Sequence, residues 1–208
     1  VGGMVAFCLL EWNNPNTLGG MATPQKLLNA LFQSVTTRTA GFASFGQGGL
    51  TEAGKAVTTF LMLVGGSSGS TAGGMKTVTL VVLLVLLWTR IRGRATVSVF
   101  KRTIPNHQVM DAMTIVAVVL GLAIFGGIVI SATSPVDFTD ALYESASALA
   151  TVGLTTGATG KLSVIAQLLI ILYMYFGRVG VLTISLSFLI GNKAEERYRY
   201  ANTNLLIG

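Results

Sequence analysis

The chain has 208 residues, of which 51% are hydrophobic and only 11% charged, with a net charge of +6 and a mean hydropathy of +0.69. A soluble domain carries about 25% charged residues, so this composition excludes a water-soluble fold and predicts an integral membrane protein. One cysteine, Cys8, excludes an intramolecular disulfide and supplies no metal constellation.

Residues 1–10 are apolar but reach only half a span before Glu11-Trp12-Asn13-Asn14 breaks them. Val1 is not an initiator Met, and the chain is expected to be the C-terminal part of a longer one. Pro24 suits the first turn of a helix, which residues 25–36 continue for roughly 18 Å, too short to cross a bilayer. Such a helix must dip in and return, which is tolerated only where protein or water surrounds the backbone. Residues 37–49 lead back out and residues 56–88 form a span interrupted in its middle. A basic stretch follows, with Arg90, Arg92, Arg94, Lys101 and Arg102. Residues 112–130 cross again, Ser134-Pro135 turns the chain, and residues 139–150 form a second short helix. Asp140 and Glu144 lie near its start, where the helix dipole favours acids. A second loop, residues 151–156, leads to a last span over residues 163–190. Lys193, Arg197 and Arg199 come after it. Basic loop and basic tail on one side, with Glu11, Asp137 and Asp140 on the other, follow the positive-inside bias and argue against a nucleic-acid partner.

The order of elements is the same twice, and so is the wording. Ala30-Leu31-Phe32-Gln33-Ser34 precedes Thr39-Ala40-Gly41-Phe42, and Ala141-Leu142-Tyr143-Glu144-Ser145 precedes Thr151-Val152-Gly153-Leu154. The offset is 111 residues in the helical part (30 to 141) and 112 in the loop (39 to 151), so one residue has slipped between them. At the 112 offset Met62 falls on Met174, Gly65 on Gly177 and Gly66 on Arg178. A short helix ending in Thr-x-Gly-apolar is how a potassium-type filter is built, with the glycine freeing backbone carbonyls to face an ion. Thr39, Ala40, Gly41, Thr151, Val152 and Gly153 are therefore the predicted filter. K+ would meet the backbone at Gly41 and Gly153. Phe42 and Leu154 would pack outward and stiffen the ring. Arg38 is expected to point behind the filter toward a carboxylate such as Glu144 or Glu52.

The interrupted span contains Gly65, Gly66, Ser67, Ser68, Gly69, Ser70, Thr71, Ala72, Gly73 and Gly74, with Lys76 close behind. Glycine costs about 1 kcal/mol against alanine at each helical position. The run should therefore unwind the helix and leave a loop that gates conduction. Close helix packing needs only a GxxxG spacing. A phosphate-binding loop fails because Met75 separates Gly74 from Lys76. A serine hydrolase built on Ser68 lacks a nearby base, since His107, the one histidine, lies in the basic loop. Arg178, a charge in mid-span, defaults to a functional role and would act as an electrostatic barrier below the filter.

These residues resemble the Trk/Ktr/HKT superfamily of potassium transporters. Thr37 to Phe42, the GGSSGSTAGGMKT stretch beginning at Gly65, the Arg178 region and residues 195–208 carry the likeness. The resemblance implies an all-α membrane fold of four span–pore helix–span repeats around one ion pore, of which this chain holds two. Residues 1–92 would be the third repeat, 93–110 a cytoplasmic loop, 111–192 the fourth repeat and 193–208 a cytoplasmic tail. It further implies K+ uptake by symport across the cell inner membrane, with Na+ as a second cargo, and no catalysis. The implied partners are a second copy in a homodimer and a cytoplasmic nucleotide-binding (RCK-type) ring. A gated cation channel and, more remotely, the Ser68 hydrolase are the alternatives.

Overall fold

A computed structural model describes residues 1–67, 69–70, 72–93, 97–99 and 102–179, and these are mostly helical. The order is α1 Gly2–Glu11, α2 Thr23–Thr36, a 3-10 turn Gln47–Gly49, α3 Glu52–Leu63, α4 Thr77–Ile91, α5 Asn106–Thr133, α6 Phe138–Leu149, a second 3-10 turn Ala158–Lys161, and α7 Val164–Val179. One small antiparallel hairpin, β1 Ser98–Val99 and β2 Arg102–Thr103, joins α4 to α5. It is the sole departure from an all-α chain among the described residues. Helix α5 begins inside the stretch expected to be loop and runs for 28 residues, roughly 42 Å. Among the described helices it alone is long and apolar enough to cross a membrane, while α1, α4 and α7 are shorter apolar helices. The stretch expected to continue α7 to residue 190, and the tail after it, lie outside the described residues.

Local chemistry explains where these helices start. Pro24 sits in the first turn of α2, and the Ala22 N–H donates to the Gln25 side chain at 3.4 Å. Thr51 caps α3 by accepting from the Gly54 N–H at 3.0 Å. Glu11, fully buried at the end of α1, accepts from Asn14 Nδ2 at 2.6 Å, Thr17 Oγ1 at 2.8 Å, and both the N–H and Oγ1 of Thr51 at 3.0 and 2.6 Å. A buried carboxylate is tolerated only when so satisfied. Here it fastens α1 to the start of α3, and a Cβ on Gly54 would strike its oxygen.

The tightest packing lies in the second half. Ser145 Oγ donates to Ala123 O at 2.9 Å and Tyr173 Oη to Leu122 O at 2.7 Å, holding α6 and α7 against α5. Gly126 makes this approach possible, because a Cβ there would meet Ser145 and Tyr173. The halves are joined by Lys55 of α3, whose Nζ lies 2.8 Å from Asp140 Oδ1 of α6. On the outside, Val164, Ile165, Leu168, Ile171, Leu172 and Tyr175 of α7 are all exposed. They form one helical stripe, an apolar face of the kind a bilayer covers.

Candidate site at the paired Thr-x-Gly loops

Both short helices end in loops of the same backbone shape. Thr39 and Gly41 have φ of 68° and 75°, and Thr151 and Gly153 have φ of 55° and 91°. Thr39 and Thr151 are the two non-glycine residues with positive φ among the described residues. Threonine is β-branched and disfavoured there, so the same strained choice at both repeat positions points to a functional constraint. The loops also meet. A Cβ built on Gly41 would run into the carbonyl oxygen of Val152, and Gly153 lies alongside.

The hydrogen bonds behind the loops repeat as well. Near the end of α2, Thr36 Oγ1 donates to Phe42 O at 2.5 Å; near the end of α6, Ser147 Oγ donates to Leu154 O at 2.6 Å. Each hydroxyl binds the carbonyl just past the filter glycine. One turn earlier the chemistry diverges. Gln33 Nε2 donates to Gln47 Oε1 in the first 3-10 turn at 2.5 Å. At the matching place Glu144 accepts from Thr159 Oγ1 at 2.9 Å, and also from Thr155 Oγ1 at 2.5 Å and the Thr156 N–H at 3.0 Å. Tyr143 Oη then reaches across to Gln47 Oε1 at 3.0 Å, tying one backing network to the other. Sequence reading missed this wiring. The signal was available, because Gln33 and Glu144 pair at the 111 offset and Gln47 and Thr159 at the 112 offset.

Two sequence expectations fail in the first loop. Leu154 packs with Met62 and Tyr143, but Phe42 is 73% exposed. Arg38 is exposed and pairs with neither Glu144 nor Glu52. Glu144 is occupied by the second loop, and Glu52 contacts Lys55 Nζ at 3.1 Å. Arg38 instead lines a cavity with Ser34, Val35 and Ala40 beside α1.

The Gly-rich run does interrupt the helix, between Leu63 and Thr77, but its limbs are zipped together. The Gly65 N–H donates to Met75 O at 2.9 Å, the Met75 N–H to Leu63 O at 3.0 Å, and the Thr77 N–H to Gly66 O at 3.1 Å. Lys76 Nζ donates to the carbonyls of Ser70 and Ala72 at 2.5 and 3.0 Å, clasping the loop onto itself. Gly69 and Gly74 take positive φ. The loop lies against the second Thr-x-Gly loop, since a Cβ on Gly73 would sit 2.6 Å from Ala150 O and 2.7 Å from Thr151 Oγ1. Ser67 is at its tip, while Ser68 and Thr71 lie outside the described residues.

Arg178 is in the last turn of α7 and lines a cavity of about 500 Å³ that also touches Thr151, Gly153, Glu144 and Met174. The mid-span arginine and the second loop therefore open onto one space. Gly177 lets α7 approach, because a Cβ there would strike the Leu149 carbonyl.

Comparison with known proteins fits this geometry. The model of the TrkH family, described as cation transport protein, matches residues 4–198. The potassium/sodium uptake protein NtpJ of Enterococcus hirae is 39% identical over 213 residues, covering 100% of this chain and 47% of that protein. A Ktr system potassium uptake protein B of Vibrio alginolyticus is 35% identical over 206 residues, covering 99% of this chain and 45% of its own length. Among solved structures, the potassium transporter TrkH from Vibrio parahaemolyticus superposes with a TM-score of 0.65 at 25% identity, over 90% of this chain and 41% of that one. The chain thus spans just under half the length of the relatives it matches. Transporters, not enzymes, make up this family, which removes the hydrolase reading of Ser68. The chain belongs to the TrkH family of cation transport proteins.

Proposed function

We infer that this chain supplies two of four pore repeats of a potassium uptake protein. Its two Thr-x-Gly loops would be adjacent quarters of one carbonyl-lined filter. The observation that carries this reading is the paired backbone: positive φ at Thr39 and Gly41 recurs at Thr151 and Gly153, in loops that touch. Such alternation turns successive carbonyls to one side, and a dehydrated monovalent cation needs several of them to replace its water. Helices α2 and α6, 14 and 12 residues long, would be re-entrant pore helices ending at the filter.

The Gly-rich loop from Gly65 to Gly74, clasped by Lys76 and seated against Thr151, would be the gate. Arg178, sharing a cavity with Gly153, would supply the positive charge that opposes free leakage. K+ is the cargo, with Na+ as a second candidate given the E. hirae relative. The basic loop and the C-terminal tail would face the cytoplasm. The complete transporter would work as a homodimer on a cytoplasmic nucleotide-binding ring.

The test is potassium uptake by a transport-deficient bacterium expressing the complete transporter. Gly153→Asp should abolish uptake, and Arg178→Ala should raise K+ or Na+ flux. Full growth at low potassium with Gly153→Asp, at normal membrane expression, would remove the filter assignment.

A further inference from the structure

A second cavity, of about 450 Å³, lies between the ends of α4 and α5 beside the β1–β2 hairpin, far along the chain from the Thr-x-Gly loops. Its volume is in the range of small-molecule pockets, about 300–1,000 Å³. Leu86, Val97, Val109, Met110 and Met113 make the wall apolar, and Arg90 and Asn106 are its two polar lining residues. Among the described residues the Arg90 guanidinium has no carboxylate or hydrogen-bond partner. No acid lines the cavity: Asp111, the nearest on α5, is not among the residues that form it. Beside it Arg92 stacks over the Trp88 ring at 4.6 Å, and Trp88 is 59% exposed. An exposed tryptophan at the end of an apolar helix marks the level of the membrane–water interface.

We propose that this cavity binds an anionic glycerophospholipid, with its phosphate on Arg90 and Asn106 and acyl carbons against Leu86, Met110 and Met113. The charge and the lining are complementary to that molecule. A guanidinium offers paired donors to phosphate oxygens, and an all-apolar wall has no use for a water-soluble anion. Basic pockets between membrane helices on the cytoplasmic side are known to take such headgroups. The site rests on the membrane-spanning reading of α4 and α5 but not on the filter assignment. Its occupant would bridge the end of the helix leaving the Gly-rich loop to the start of α5, and so bear on the loop from one helix length away.

The test is native mass spectrometry of the complete transporter in detergent, titrated with phosphatidylglycerol or phosphatidylcholine. The wild type should retain phosphatidylglycerol in preference. Arg90→Gln should weaken retention about fivefold, and Arg90→Gln with Arg92→Gln further. Arg90→Lys, which keeps the charge, should recover most of it and controls for misfolding. Gly153→Asp should leave lipid retention intact, so loss of transport and loss of lipid are read separately. Equal retention of both lipids, unchanged retention in Arg90→Gln, or competition by soluble glycerol phosphate alone would each overturn the proposal. So would an Arg90→Gln protein that keeps its lipid but loses an acidic cytoplasmic partner.

Discussion

In the first half the helix behind the Thr-x-Gly loop, α3, stops at Leu63, and the chain runs as a zipped Gly-rich loop to Lys76. In the second half α7 remains helical through Val179, past Gly177, the position that matches Gly65. The same glycine thus serves two ends. Gly65 belongs to a dense run whose summed propensity cost breaks the helix. Gly177 stands beside larger residues, and its missing side chain lets α7 close on the Leu149 carbonyl. Two copies of one unit can therefore share loop geometry and still divide labour, one copy providing a movable obstruction and the other a rigid wall carrying Arg178.

The largest effect should separate the two loop glycines. Gly41→Ala meets both an unfavourable φ and the Val152 carbonyl, whereas a Cβ on Gly153 comes only to 3.9 Å of Gly41 Cα. Gly153→Ala then faces the left-handed backbone alone, about 1–2 kcal/mol. Uptake assays should show Gly41→Ala down by a hundredfold or more and Gly153→Ala down by about tenfold. Equal losses would mean that the two loops do not touch as described.

Glu11→Ala comes next and concerns stability. It strands the buried donors of Asn14, Thr17 and Thr51, and a thermal melt in detergent should report a loss of about 3 kcal/mol. Lys76→Met acts only on the broken helix. Freeing the Ser70 and Ala72 carbonyls should raise ion flux by about fivefold, the equivalent of one net hydrogen bond. The smallest effect tests the likeness of the halves: Thr36→Val and Ser147→Ala should each shift the K+/Na+ uptake ratio by a similar amount, about three- to fivefold. A response from one and not the other would show that the loops are backed differently despite matching bonds.

Much of this was legible in the sequence because it is written twice. The duplicated Thr-x-Gly segment, the two short helices and the helix break between residues 63 and 77 all follow from spacing and glycine density. What escaped has a common physical origin. The backing bonds join residues of unlike chemistry, Gln33 to Gln47 and Glu144 to Thr159, so a search for repeated letters passes over them. Arg38 attracted a carboxylate in the reading because charge is long-ranged, yet Glu144 finds shorter bonds in its own loop. Helix α5 begins at Asn106 because Pro105 sets its start, although the polar residues Asn106, His107 and Gln108 look like loop when hydropathy alone is weighed.

The slip of one residue between the copies has a place in space. Counting at 111 carries Arg38 to Leu149, and counting at 112 carries Thr39 to Thr151, so Ala150 has no counterpart in the first half. Its carbonyl and Cβ are what Gly73 and Gly74 lie against. The insertion that spoils the internal symmetry is thus the seat of the loop that only the other half possesses. Once one copy acquired a plug and its neighbour a ledge to receive it, neither segment was free to return to the ancestral pattern alone.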